Sequence, residues 1–429
     1  MKLPEGWLQV RLEEIADVTL GQSPPGSSYN SEAVGVPFFQ GKAEFGALRP
    51  TIRKWTTNPK KLASIDDVLL SVRAPVGPTN LAPCDCAVGR GLTAVRPLGG
   101  IDPRYVLWGL RATADALAEH ATGTTFEAVT GSQVRAHQLP IAPLGEQHRI
   151  VAAIEEQFSR LDSGDASLRA AQTRLTLYKR EVLARSVPAD ANERTLESIA
   201  EASKHAITDG PFGSNLKTAH YTSAGPRVIR LQNIGDGEFI DAMAHVSSDH
   251  FERLRKHEVL AGDVVIAALG EELPRACVIP EHVPPAIVKA DCFRIRLGSD
   301  ALPAYVALVL NAPQTRRRAS RIIHGVGRPR LNLREVRQLS LPIPTVEVQR
   351  NIVADFERQI SITDAMATEI DRALLRSAAL RRSILAEGFA GKLVPQNASD
   401  APASALLERI AAECATRPKP PRRRRRVPA

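Results

Sequence analysis

The chain has 429 residues, 43% of them hydrophobic, enough for two or three domains with buried cores. No apolar run approaches the ~20 residues that cross a bilayer, and the opening MKLPEGWLQV lacks the apolar stretch of a signal peptide, so a cytoplasmic protein is expected. The net charge is +9, but Arg417, Lys419 and Arg422 to Arg426 supply seven of those charges without one acid, leaving +2 for residues 1–416, so a nucleic-acid role for the body must rest on local placement.

Residues 1–143 carry short β-branched runs, VPFFQG, DVLLSV and LTAVRP among them, between Gly, Pro and Asn clusters, which predict strands with turns. PRYVLWGLRATADALAEH predicts one helix opening at a proline. Cys84 and Cys86 stand too close for a zinc pair and no Cys/His cluster completes them, so with Cys277, Cys292 and Cys414 they read as structural thiols.

From Glu146 to about Val187 there is no proline, and only Gly164 interrupts. Ile154, Leu161, Leu168, Leu175 and Val182 recur every seven residues, flanked by Ile150, Phe158 and Tyr178. This is coiled-coil spacing over about five heptads, a helix ~60 Å long.

The same plan then recurs. RVIRLQNI, DVVIAAL and CFRIRL predict strands, and LPAYVALVLNAPQTRRRAS one helix. LPIAPLGEQHRIVAAI (139–154) returns as LPIPTVEVQRNIVADF (341–356), identical at seven of sixteen positions with a shift of 202. Upstream the shift drifts: FFQG (38–41) faces RLQNIG (230–235) at 192. In the second long helix Ile352, Met366, Ala373 and Leu380 keep the seven-residue step beside Phe356, Ile370 and Ile384. Two consecutive copies predict antiparallel pairing of the helices about a pseudo-twofold axis.

Two α/β domains, each followed by a long helix, introduced by LPIAPLGEQHRI in the first copy and by LP-x-P-x-x-x-x-Q-x-x-I in the second, resemble the specificity subunit of type I restriction–modification systems. The resemblance rests on Leu139-Pro140-Ile141, Pro143, Gln147, Ile150-Val151 and on Leu341-Pro342-Ile343, Gln349, Ile352-Val353. The opening LPEGWLQVRLEEIA and the exit GKLVPQ resemble the family too, whereas Thr345 replaces the proline matching Pro143. The expected fold is mixed α+β: two tandem α/β target recognition domains separated by a pair of long antiparallel coiled-coil helices. The first domain spans 1–143, its spacer helix 144–190, the second domain 191–345 and its helix 346–395; a short helix covers 396–415 and an Arg-rich tail 416–429.

The resemblance implies that each domain reads half of a bipartite, asymmetric site on double-stranded DNA. The helices would set the spacer and dock two methyltransferase (modification) subunits, with restriction/translocase subunits joining. S-adenosylmethionine, ATP and Mg2+ would bind those partners, and no cofactor this chain. The residues agree that no chemistry is evident. SPPG (23–26) and VPPA (283–286) lack both flanks of the Asn/Asp-Pro-Pro-aromatic motif, GVGRPR is no dinucleotide fingerprint, GVPFFQGKA has no Ser/Thr after Lys42, and no histidine pair has metal-ligand spacing.

Base reading wants Arg, Lys, Asn and Gln on strand ends and loops. Candidates are Gln40 and Lys42 in the first domain, with Arg73 and Arg90, and Arg230, Gln232 and Asn233 in the second, with Lys217, Arg328 and Arg330. A polar strand end facing water is the plain alternative for each. Gln147, Ile150, Ile154, Leu161, Leu168, Leu175, Gln349, Ile352, Phe356, Met366, Ile370 and Leu380 are the candidates for the helix seam and partner docking. Rival readings are a coiled-coil scaffold without DNA specificity and an enzyme with a degenerate motif.

Overall fold

The computed structural model describes residues 3–119, 128–270, 272–323 and 329–416, so the predicted Arg-rich tail lies outside the described residues save its first residue, Thr416. Two compact units emerge, residues 1–167 with 373–429, and residues 168–372. Each holds one α/β domain and a stretch of both long helices, Leu144–Arg185 and Val346–Phe389.

The first domain contains β1 (Leu8–Arg11), β2 (Ala16–Leu20), β3 (Tyr29–Asn30), β4 (Val36–Phe39), β5 (Trp55–Thr56), β6 (Leu62–Ala63), β7 (Val68–Ser71), β8 (Thr79–Leu81), β9 (Cys86–Val88), β10 (Leu92–Pro97) and β11 (Gln138–Ile141). They form a four-stranded sheet ordered β2-β10-β7-β8, a five-stranded sheet ordered β3-β5-β4-β9-β6, and the pair β1-β11. The run DVLLSV is apolar throughout because alternate side chains of β7 feed different cores: Val68 and Leu70 enter the main one, Leu69 a smaller one with Phe39 and Val88.

The second domain contains β12 (Glu193–Thr195), β13 (Ile207–Asp209), β14 (Tyr221–Ile229), β15 (His245–Val246), β16 (Glu258–Val259), β17 (Val264–Ala267), β18 (Arg275–Val278), β19 (Ala286–Val288), β20 (Cys292–Ile295) and β21 (Ser340–Pro342). Orders β13-β20-β17-β18 and β12-β21 repeat the first domain, and β14-β19 is parallel as β4-β9 is.

Side-chain contacts repeat as well. Tyr105 Oη donates to Pro140 O (3.0 Å) and Tyr305 Oη to Pro342 O (2.7 Å). Arg96 grips the buried Asp67 with two hydrogen bonds of 2.8 Å, and Arg296 grips Asp263 with two of 2.9 Å.

In the first unit Ile150 and Ile154, from the start of the first long helix, and Leu385 and Phe389, from the end of the second, are buried in the domain core. In the second unit Ile352, Val353 and Phe356 pack on the core beside Leu183 and Val187. Beyond the cores the helix segments of each unit touch through polar groups. Arg381 pairs with Asp162 (2.9 Å) and Asp165 (3.0 Å) in the first unit. In the second, Lys179 pairs with Asp364, and Gln172 donates to Asp371 (2.6 Å). A start-to-end pairing of the segments, as antiparallel helices require, holds within each unit.

The seam differs from the predicted one on the second helix. Leu161, Leu168, Leu175 and Val182 are at least half-buried, as their heptad predicts, but Met366 is 53% exposed and Leu380 52%. Of the predicted positions Ile352, Phe356, Ile370, Ala373 and Ile384 are covered, and Thr363 and Ser377 join Phe356, Ile370 and Ile384 in a series seven apart. Two of that series are small and polar, so hydrophobicity alone misplaces the register.

Candidate nucleic-acid interface

In the first domain, three sequence candidates meet around the turn Gly89-Arg90-Gly91. Gly89 N–H donates to Phe39 O (2.8 Å), Gly91 N–H to Gln40 O (3.1 Å) and Val72 N–H to Gly91 O (3.0 Å), which brings Gln40, Arg73 and Arg90 together. The turn needs glycine, since a Cβ on Gly91 would stand 2.5 Å from Gln40 O. Arg90 N–H donates to Ser23 Oγ (3.3 Å), which fixes the GQSPPG loop beside it. Lys42 opens a 3-10 turn, Lys42–Glu44. All four candidate side chains are exposed.

The geometry adds cations that sequence reasoning missed. Lys54 O accepts from Phe38 N–H (2.8 Å) and Lys61 O from Val88 N–H (3.0 Å), so Arg53, Lys54, Lys60 and Lys61 flank the same end of the five-stranded sheet. Their signal is the run RKWTTNPKK, four cations and no acid from 53 to 61.

The second domain keeps the framework: Lys289 N–H donates to Ile229 O and Ala268 N–H to Asp291 O, both 2.8 Å. Ile229 thus matches Phe39, and Arg230 stands where Gln40 does. The true offset is 190, whereas an alignment at 192 puts Gln232 there. Arg230 is half-buried, donating to Ala242 O (3.4 Å) and Met243 O (3.2 Å).

Asn233 is corrected outright. It is fully buried, its Oδ1 accepts from Arg230 N–H (2.9 Å), and its amide donates to Ile240 O (2.8 Å) and Ala242 O (2.9 Å). It shapes the turn and has no hydrogen-bonding face left for a base. Gln232 and Lys217 are exposed. Arg330 pairs with Asp291 (2.8 Å) and is bridged to Leu269, where the first domain bridges Arg73 to Ala128. Arg328 lies outside the described residues.

Two docking candidates are likewise structural. Gln147 is buried and donates to Ala142 O (2.9 Å); Gln349 is buried, donates to Pro344 O (2.8 Å) and Asp300 O (2.9 Å), and accepts from Leu302 N–H (2.8 Å). This explains the repeated LPI-x-x-x-x-x-Q: the glutamine clamps a carbonyl five residues back, just before the helix begins. Ile150 and Ile154 belong to the domain core.

Burial pushes the Cys86, Cys277 and Cys292 thiols up to about 12, so none is a thiolate near neutrality. The His220 ring lies 4.2 Å from that of His250, and partial burial, His250, Lys217 and Arg253 all hold its pKa below the usual imidazole value. Among the described residues no group of three or more His, Cys, Asp or Glu could hold a metal ion, and no helix is long and apolar enough to cross a membrane.

Residues 4–164 match the family model described as type I restriction modification DNA specificity domain. The putative type I restriction enzyme MjaX specificity subunit of Methanocaldococcus jannaschii is 38% identical over 157 residues; the alignment spans 36% of this chain and 37% of that relative's length. The type I restriction enzyme EcoBI specificity subunit of Escherichia coli is 20% identical, over 96% of this chain and 93% of its own. The fold matches a chain of a type I R-M system studied for complex assembly and conformational transition (TM-score 0.72, 19% identity, 91% of this chain, 100% of that one). It also matches the HsdS subunit from Thermoanaerobacter tengcongensis (TM-score 0.58, 19% identity, 91% of this chain, 98% of that one).

Residues 4–164 thus carry the match to a type I restriction modification DNA specificity domain. Over its whole length the chain is similar to type I restriction enzyme specificity subunits and shares the fold of the HsdS subunit.

Proposed function

We propose that each α/β domain reads one half of a bipartite, asymmetric site on double-stranded DNA. The long helices fix the unread spacer and dock two modification subunits, which a restriction/translocase subunit joins. In this reading the chain has no catalytic site, and S-adenosylmethionine, ATP and Mg2+ belong to the partners. One observation carries it: the two domains share a hydrogen-bonded framework but carry different side chains at matched positions around it, Gln40 against Arg230 and Arg73 against Leu269. A common scaffold with divergent polar rims suits reading two unlike half-sites. The spacer reading draws support from helices of 42 and 44 residues, and the docking reading from the exposed Leu177, Ile362, Met366, Leu375 and Leu380 along them.

Genome-wide mapping of methylated adenines, with and without the gene, tests this. Loss of one bipartite motif is expected; an unchanged methylation pattern in a host with active modification subunits would overturn the reading in favour of a scaffold.

A further inference from the structure

The two readers differ in charge as well as in shape. At the end of the first domain's five-stranded sheet stand Arg53, Lys54, Lys60, Lys61, Arg73 and Arg90, all exposed. Lys54 and Lys61 flank β4 and β9 on one row, so they are about three strand spacings apart, ~14 Å. The acids at the opposite end of the sheet are engaged: Asp66 holds Arg49 (2.5 Å), Asp67 holds Arg96 (2.8 Å), and Asp85 accepts from Ile65 N–H (3.0 Å). At the cation end stands Glu44, with its Oε2 buried. Among the described residues none of the six cations makes an ion pair.

The matching positions of the second domain follow from the same hydrogen bonds. Val228 N–H donates to Ala244 O (2.9 Å) as Phe38 N–H does to Lys54 O, and Glu258 opposes Ile287 as Leu62 opposes Ala87. The six are therefore Met243, Ala244, Lys256, His257, Leu269 and Ala290, which hold one lysine and one buried imidazole. Other cations on that rim, among the described residues, are Lys289, Arg255 paired with Glu252 (2.9 Å), Arg230 turned onto carbonyls, and Arg330 held by Asp291.

We propose that the end of this sheet in the first domain is a DNA-phosphate ridge that supplies most of the sequence-independent affinity, while the second domain binds mainly through what it reads. The inference rests on the DNA-reading function above. Unpaired exposed cations release counterions on meeting phosphate, whereas cations already satisfied within the protein release few.

The test measures binding of the full chain, with any co-purifying subunits, to duplexes with and without the recognised sequence across a salt series. R53Q/K54Q/K60Q/K61Q should weaken both duplexes by the same factor and flatten the log–log salt slope by ~0.9 for each phosphate that is no longer neutralised, with the sequence preference kept. The reverse variant, M243K/A244K/A290R, should steepen the slope. An unaltered slope in both variants, or a weakening confined to the recognised duplex, overturns the ridge while leaving DNA reading intact. A wild-type chain that binds neither duplex overturns DNA reading and the ridge with it.

Discussion

The two clamping glutamines show how one repeated residue acquires unequal weight. Gln147 makes one hydrogen bond through its amide, and its Oε1 is buried without a partner. Gln349 makes three. Cutting each to alanine leaves buried backbone groups unpaired, at roughly 1–3 kcal/mol apiece. Gln349→Ala should therefore lower unfolding free energy by roughly twice the loss of Gln147→Ala or more, read from urea denaturation, with sequence preference unaltered in whatever remains folded. A second residue-scale expectation concerns acidity. His220 Nδ1 accepts from Lys217 N–H (3.1 Å), which requires an unprotonated nitrogen, and partial burial, then the neighbouring His250, Lys217 and Arg253, disfavour its protonated form. Its folded pKa lies below the ordinary 6.5 of the unfolded chain, so the stability it contributes is complete above 6.5 and drains away as pH falls through the lower, folded value. Amide protection over residues 211–220, taken relative to the intrinsic exchange rate at each pH, should fall from pH 7.5 to 5.5. In His220→Asn, whose oxygen can accept the same bond without titrating, that loss of protection should vanish.

At the scale of elements, the polar groups between the long helices decide register more than strength. Lys179 with Asp364, and Arg381 with Asp162, are one pairing written twice, 202 residues apart. Asp165 and Arg381 are only 25% and 24% exposed, but exposed neighbours and salt screen the pair, so it contributes about 0.2–1 kcal/mol. Replacing both by leucine should raise the melting temperature, as apolar groups often do in place of a half-buried pair. It should also relax partner choice, seen as concentration-dependent oligomers in light scattering, since a polar seam residue penalises wrong registers. A melting temperature that falls, with the chain still monodisperse, would refute the argument. The first helix was legible in sequence because its covered positions are aliphatic at Ile154, Leu161, Leu168, Leu175 and Val182. The second was not, because Thr363, Ser377 and Gly388 are covered while Met366, Leu375 and Leu380 face outward. Likewise the duplicated framework was legible from LPIAP and LPIPT, but Asn233 was not. A buried amide serving three backbone groups and an exposed one serving a base look identical in one sequence.

At the scale of the whole molecule, the first domain depends on residues written almost 400 positions after it begins. The C-terminal helix, Ala403–Thr416, buries Ala403, Leu406 and Ile410 in the same core as Trp7, Leu12 and Ile15. Around it, Ala403 N–H donates to Gly6 O (2.9 Å), Arg149 holds Asp400 (2.6 Å), and Arg409 donates to Gly99 O. Gly99 is left-handed with φ near 59°, and a Cβ there would stand 2.3 Å from Ile410 Cγ1, so the helix seats on a notch made for it. Burying leucine and isoleucine side chains contributes ~1.5–3 kcal/mol each, so removing residues 397–429 should cost the first unit on the order of 3–6 kcal/mol. The second unit, residues 168–372, includes neither this helix nor the surfaces it covers. Truncation at Asn397 should therefore be selective: limited proteolysis ought to cut within residues 1–143 first, and sequence discrimination should fail for one half-site while the other is still distinguished. Leu406→Ala and Ile410→Ala together should give a milder version of the same split, separating lost packing from the removal of the Arg-rich tail. Equal loss of both half-sites, or loss of neither, would show that the helix does not stabilise one reader alone.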